Sequence, residues 1–459
     1  MKCRGSTIQY VRDLFLKKNG SLSSLLARGT ASTLIVSVIF SCVNFALNVL
    51  LAREMGATGY GAYSYAIAWT AVMGVVANLG FPQVIIRDTS AYVQLQDSGR
   101  LRGLMRFSFK WTLAASLLSI VAAVVPALFQ FWSSQSMELQ LLGSAFILVP
   151  LNALLLWAAA LQQGQSRVGR AQIPSTVVSP LLFLAAVLTF IVWSGRKLDA
   201  VSVIYMQIVA TSAALGYALV TLRATIAPKI ASASPVYESA RWLSGAIKLV
   251  LIGSMYLLNV NADILLLGAI LGPEAAGIYK VATRGADLVM YSLIVINFPL
   301  SPIIARLHAA GDRDRLRRAI TLSTRVAALV ALPVATGLVF VGDRFLALFG
   351  EGFQQGRSAL AILSISQLVN AATGPVGWIM ITAGYETRTA IAVTVGAVTN
   401  IALNLMLIPR YGILGAAVAT TTSMMLWNGM LVFQVWYKLG IDPTIFGLVK
   451  GDHSVSNGG

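Results

Sequence analysis

Acidic side chains are scarce in this chain, with 17 Asp and Glu in 459 residues against 34 Lys and Arg. Charge of either sign reaches only 11%, far below the roughly 25% of soluble domains, which excludes an ordinary water-soluble globule. Cysteine and histidine occur twice each. Cys3 and Cys42 are too few and too far apart for a disulfide framework and supply no cluster of metal ligands. His308 sits in a basic connector, where it is most simply solvated. A Walker A lysine loop, HExxH and GxSxG are all missing, and no connector with paired acids is long enough to hold an active site. No catalytic residue, metal or cofactor is therefore assigned, and the chain is not expected to be an enzyme. Without an ATP site, uphill work would draw on an ion gradient, the membrane potential or a substrate gradient; the coupling ion, H+ or Na+, stays open.

What the chain does have is apolar length. Hydrophobic residues make up 57%, and twelve runs stand out, at 30–52, 61–80, 107–129, 139–160, 172–193, 200–222, 243–267, 276–299, 321–342, 358–382, 389–408 and 413–435. Each is long enough for a helix to cross about 30 Å of hydrocarbon. The runs are nearly continuous rather than alternating, so the expectation is an all-α integral membrane protein and not a barrel. The first run is too long for a cleavable signal core.

The formal charge of +17 is not gathered into a basic domain with interleaved aromatics, so nucleic acid is excluded as a partner. It is spread over short connectors, which points to anionic membrane lipids and to orientation. With the N-terminus cytoplasmic, only Arg53, Arg196, Lys197, Arg344, Arg357 and Arg410 fall on the outer side, and both termini are expected inside. The expected units are a cytoplasmic segment 1–29, a six-helix bundle 30–222, a cytoplasmic linker 223–242 with two prolines, a second six-helix bundle 243–435, and a cytoplasmic tail 436–459. Between 81 and 106 part of the connector is expected to form a helix at the inner surface. In ARLHAAGDRDRLRRAI, Asp312 and Asp314 precede Arg317 and Arg318, the order that suits a helix N-terminus.

The two bundles share a repeat. LLAREMGATGYGAYSYA at 50–66 returns as LLGAILGPEAAGIYKVA at 266–282, with Gly56, Gly61 and Tyr63 opposite Gly272, Gly277 and Tyr279 at one common offset. Because six spans is an even number, both halves enter the membrane in the same direction. The axis relating them then runs along the membrane normal, and the cleft between them is the default substrate site.

The informative charges within spans are Lys248, Asp263, Lys280, Arg284 and Asp287. A charge at the bilayer centre costs at least about 2.5 kcal/mol, so these should face protein or water. Asp263 and Lys280 are expected near the outer end of one hairpin, close enough to pair, and Arg284 and Asp287 are neighbours three apart on one helix. Two readings follow: a neutralised structural network, with Asp263 and Asp287 as network or coupling residues, or cations at Arg284, Lys280 and Lys248 offered to an anionic substrate. Asn44 and Asn48, four apart in the first span, and Asn259 in the seventh add polar candidates, though interhelical amide contacts are common glue.

LLAREMGATGYGAYSYA with VANLGFPQVIIRDTSAY resembles the opening of the polysaccharide biosynthesis protein family, the Wzx-type lipid-linked oligosaccharide flippases of the multidrug/oligosaccharidyl-lipid/polysaccharide (MOP) exporter superfamily. DILLLGAILGPEAAGIYKVATR and LIPRYGILGAAVATTTS resemble its seventh-to-eighth and eleventh-to-twelfth helix regions. The resemblance implies a MATE-like fold of about 12 transmembrane helices in two six-helix bundles around a V-shaped cavity, in a bacterial cytoplasmic membrane. It implies alternating-access translocation of a polyprenyl-pyrophosphate-linked glycan for surface polysaccharide synthesis, with a polysaccharide polymerase and assembly proteins as further partners. Basic cavity residues in the family correspond in region to Arg28, Lys248, Lys280 and Arg284. Two rivals stand beside it: a cation-coupled drug exporter on the same fold, which should prefer acidic and aromatic cavity residues, and a nontransporting scaffold for glycan assembly enzymes.

Overall fold

The computed structural model describes residues 22–131, 136–225, 230 and 232–447. Among them every regular element is helical, as expected of backbone that must satisfy its own hydrogen bonds away from water. The first half comprises α1 (Leu22–Asn78), α2 (Phe81–Gln94), α3 (Ser98–Phe131), α4 (Ser136–Phe146), α5 (Leu148–Gly164), α6 (Val168–Ile173), α7 (Ser179–Ser194) and α8 (Ala200–Thr225). The second comprises α9 (Ser239–Leu271), α10 (Pro273–Ala309), α11 (Arg313–Ala347), α12 (Arg357–Thr373), α13 (Val376–Thr382) and α14 (Glu386–Leu439). By length and composition, six helical segments among the described residues can cross a membrane, or eight when two bent pairs each count as one.

The repeat is visible in the backbone. Gly56 breaks α1 at φ 68, ψ 180, and Gly272 separates α9 from α10 at φ 91, ψ 176. Both sit in the positive-φ region that a residue with a Cβ enters only under strain, so glycine is what the turn requires. Pro174 opens a π-helical turn, Pro174–Val178, that joins α6 to α7; a proline cannot donate to the preceding turn, and the wider ring accommodates the loss.

The basic connectors are tied to the helices beside them. α2 is a helix with proline in its first turn, bent by 44° from the end of α1, and the Arg87 guanidinium on it is held above its ordinary basicity by the hydrogen bond to Asp88. Asp312 caps α11, accepting from the Arg315 backbone N–H at 3.1 Å. The described part of the linker is tied over α3: Val236 N–H donates to Gly99 O at 3.0 Å, Arg102 donates to Ala233 O at 2.5 Å, and Arg100 pairs with Glu238 at 2.9 Å. The tail is tied in the same manner over α11, where Thr324 donates to Pro443 O at 2.9 Å and Arg325 to Ile445 O and Gly447 O at 3.1 and 3.0 Å.

The largest apolar core belongs to both halves at once. Leu51, Tyr60 and Ala66 of α1 are buried in one cluster with Tyr279 and Ala282 of α10 and Leu346, Phe349 and Phe353. α1 packs more extensively on α10 than on any other helix, so the two repeat-bearing hairpins form the seam of the molecule.

Candidate functional site

Gly61 and Gly277, equivalent under the repeat, meet across that seam. A Cβ on Gly61 would overlap the Pro273 carbonyl and approach the Gly277 nitrogen at 2.9 Å, and one on Gly277 would overlap the Ala57 carbonyl and come within 2.9 Å of Gly61. Equivalent positions touch in this way only where the pseudo-axis passes between them. Around the crossing Arg53 donates from Nε to Leu348 O at 2.6 Å. Phe45 packs at a tilt on Phe345 at 6.0 Å and edge-to-face on Phe349 at 5.7 Å, and Tyr60 edge-to-face on Phe353 at 6.3 Å.

Two residues past Gly277, the Tyr279 hydroxyl donates to Asp263 Oδ2 at 2.7 Å and meets Thr420 Oγ1 at 3.0 Å. Asp263, 4% exposed, also accepts from Thr420 at 2.5 Å and from Asn404 Nδ2 at 2.7 Å. Asn400 donates to Thr420 at 3.4 Å. The side-chain oxygens of Asn400 and Asn404 are buried without a hydrogen-bond partner. Asp263 therefore lies in a pocket of neutral polar groups from α9, α10 and α14, and the expected pairing with Lys280 is not formed. The reason is angular: successive residues on a helix point about 100° apart, so turning Tyr279 onto Asp263 turns Lys280 away.

Lys280, half-buried, makes no ion pair among the described residues. Arg284 pairs with Asp287 on its own helix at 3.3 Å, with side chains 36% and 29% exposed, and lies beside Tyr60 of α1. Its Nε is buried without a partner. Of the two pairings that the network reading needs, Arg284–Asp287 is formed and Asp263–Lys280 is not.

The amides divide. Asn48 donates to the Asn44 carbonyl at 2.6 Å and accepts from Tyr60 at 2.7 Å, which binds the two limbs of α1 together. Asn44 is exposed on the same helix, and Asn259 is half-buried on α9. The side chains of Arg28 and Lys248 lie outside the described residues.

The residues that surround Asp263, namely Asn400, Asn404, Thr420 and Tyr279, were not assigned to it from sequence. At the offset of the repeat Asp263 falls opposite Leu47, which is buried in the core, so the first half fills that position with an apolar side chain.

Comparison with known proteins adds the following. The family described as polysaccharide biosynthesis protein matches residues 26–308, and the family described as MatE matches 249–406. The chain is 32% identical over 173 residues to the probable flippase AglR of Haloferax volcanii, covering 37% of this chain and 36% of that relative's length. It is 21% identical over 405 residues to the probable low-salt glycan biosynthesis flippase Agl15 of the same organism, covering 87% and 81%. Among solved structures, an inward-facing multidrug resistance MATE family transporter of the MOP superfamily superposes with TM-score 0.68 at 14% identity, covering 86% of this chain and 94% of that one. The fold is an all-α, multi-pass membrane fold related to these transporters.

Proposed function

Because the chain belongs to the polysaccharide biosynthesis protein family, a family of membrane transporters and not of enzymes, we propose that it moves a polyprenyl-pyrophosphate-linked oligosaccharide across a bacterial cytoplasmic membrane by alternating access. The observation that carries this reading is the pair of cations on α10. Lys280 has no acid partner among the described residues and Arg284 Nε has no hydrogen-bond partner, yet both sit within an apolar helix at the seam of the halves. With Arg284 paired only to Asp287 on its own helix and Lys280 unpaired among the described residues, a net positive charge remains there, which is costly, and a pyrophosphate that enters and leaves is a compensating partner. The Arg284 fork suits phosphate oxygens, with Asp287 holding it in place.

In this reading α1 and α14, broken at Gly56 and Gly412, each cross the membrane twice. The molecule then has twelve crossings in two six-helix bundles, with both termini and the basic connectors inside, facing anionic lipids. The glycan and pyrophosphate pass through a hydrated cleft between the bundles while the polyprenyl tail stays in lipid, which avoids the penalty of drawing ions through hydrocarbon. Lys248 and Arg28 are further cationic candidates and Asn44, Asn48 and Asn259 further polar ones for the same substrate, and Asp263 is the coupling acid, neutralised by H+ or Na+. Assembly enzymes and a polymerase would supply and consume the substrate. A drug exporter would need its acid open to organic cations; Asp263 is closed off behind Tyr279, Thr420 and Asn404.

The test is flipping of a fluorescent polyprenyl-pyrophosphate glycan in liposomes. Lys280→Ala combined with Arg284→Ala should slow it at least tenfold, about 1.4 kcal/mol or more, with monodisperse protein. Unchanged flipping by the double variant rejects the assigned cations.

A further inference from the structure

One turn of α10 is pinned on two opposite faces, and the two pins have different chemistry. At Gly277 it lies backbone to backbone against Ala57 and Gly61 of α1. At Tyr279, two residues and therefore about 200° around the helix, its hydroxyl is held by Asp263 at 2.7 Å and meets Thr420 at 3.0 Å. The glycine crossing has no slack, because a single added Cβ on either side already overlaps backbone. A displacement of this turn toward or away from Asp263 is therefore a displacement of the seam.

The equivalent tyrosine of the first half is held by a neutral side chain from a different helix, since Leu47 stands opposite Asp263. Tyr63, two residues past Gly61, donates to Gln207 Oε1 at 2.9 Å. Gln207 has one charge state, so that clamp is fixed; Asp263 has two. When Asp263 is ionised, the hydroxyls of Tyr279 and Thr420 and the amide of Asn404 all donate to it, and hydrogen bonds to a carboxylate are roughly twice as strong as neutral ones. Among the described residues no cation and no second acid faces Asp263 from α9, α10 or α14, so its own charge decides how firmly Tyr279 is held. Beside the crossing, α1 is also held to the end of α11 by Arg53 on Leu348 O and by the Phe45, Phe345 and Phe349 rings, contacts that part if the two halves separate there.

We propose that Tyr279 is the positioning residue that transmits the charge state of Asp263 to the seam between the halves, so that neutralising the acid releases the turn of α10 at Gly277 and loosens the contacts beside it. The inference rests on the alternating-access reading, and it concerns a hydroxyl that need never touch the translocated lipid.

Pulsed electron spin resonance on the full chain in lipid nanodiscs, without substrate, tests it. Spin labels go on Thr58→Cys and Glu274→Cys, both exposed beside the crossing, with Cys3 and Cys42 replaced by serine. Asp263→Asn should raise the separated population about fivefold, the weight of one charge-assisted hydrogen bond reduced to a neutral one. Tyr279→Phe, which removes the bond altogether, should raise it at least as much, and adding Asp263→Asn in that background should change nothing more. Tyr63→Phe and Thr420→Val, which leave Tyr279 in place, should keep the response to Asp263→Asn. An equal response to Asp263→Asn with and without Tyr279→Phe, or its loss in Thr420→Val, overturns the assignment, as does a seam that ignores Asp263→Asn altogether. A responsive seam in protein that flips no glycolipid rejects the proposed substrate and leaves this coupling standing; an unresponsive seam in protein that flips normally does the reverse.

Discussion

At the scale of single residues, the sharpest contrast is between the acid pocket and its apolar counterpart. Asp263 occupies the position that the first half fills with buried Leu47. Buried polar networks are often neutral or unfavourable for stability relative to well-packed hydrophobic groups of similar volume. The chain with Asp263→Leu, Asn400→Leu, Asn404→Leu and Thr420→Ile, plus Tyr279→Phe so that no hydroxyl is stranded, should therefore keep or raise its thermal unfolding midpoint while losing at least about tenfold in flipping rate. Scanning fluorimetry beside the liposome assay checks this. A large fall in midpoint would make the cluster a structural one. Sequence alone singled out Asp263 but gave it Lys280 as partner, because it fixes depth along a helix and not direction around it; one residue of rotation decides which side chain reaches the acid.

At the scale of elements, the sequence shows that Gly61 and Gly277 are equivalent, from the common offset, but not that they touch. Contact depends on how close the pseudo-axis runs to α1 and α10, which no pattern within either half records. The turns were more legible: Gly56 and Gly272 were matched from sequence and share one backbone conformation. The crossing makes a measurable claim. Gly277→Ala places a methyl on the Ala57 carbonyl and should destabilise the protein by about 1–3 kcal/mol, as overpacking does. Gly216→Ala, in the interior of α8 with nothing within 4 Å of the new Cβ, should be neutral or stabilising by about 0.5–1 kcal/mol. Unfolding midpoints of the two single variants, compared in one detergent, separate close packing from a general intolerance of alanine for glycine.

At the scale of the whole molecule, length and hydropathy pick out six to eight crossings among the described residues, whereas the apolar runs of the full sequence imply twelve. Part of the difference has a physical source. At α1 and α14 the helical hydrogen-bonding pattern continues through Gly56 and Gly412, so two limbs look like one long rod although the backbone turns there. Topology decides between the counts, because a turn at Gly56 that returns the chain through the membrane puts Thr58 and Leu95 on opposite faces. Single cysteines at Thr58, Glu274 and Tyr411, all exposed, should react with a membrane-impermeant maleimide in intact cells, whereas cysteines at Leu95 and Arg313, also exposed, should react only after permeabilisation. The basic connectors predict that sidedness, and the even number of spans per half predicts that Thr58 and Glu274 share it. Labelling of Thr58 and Leu95 from the same face would reduce α1 to a single crossing, reverse every later helix of the first half, and separate the two glycines of the seam in orientation as well as in number.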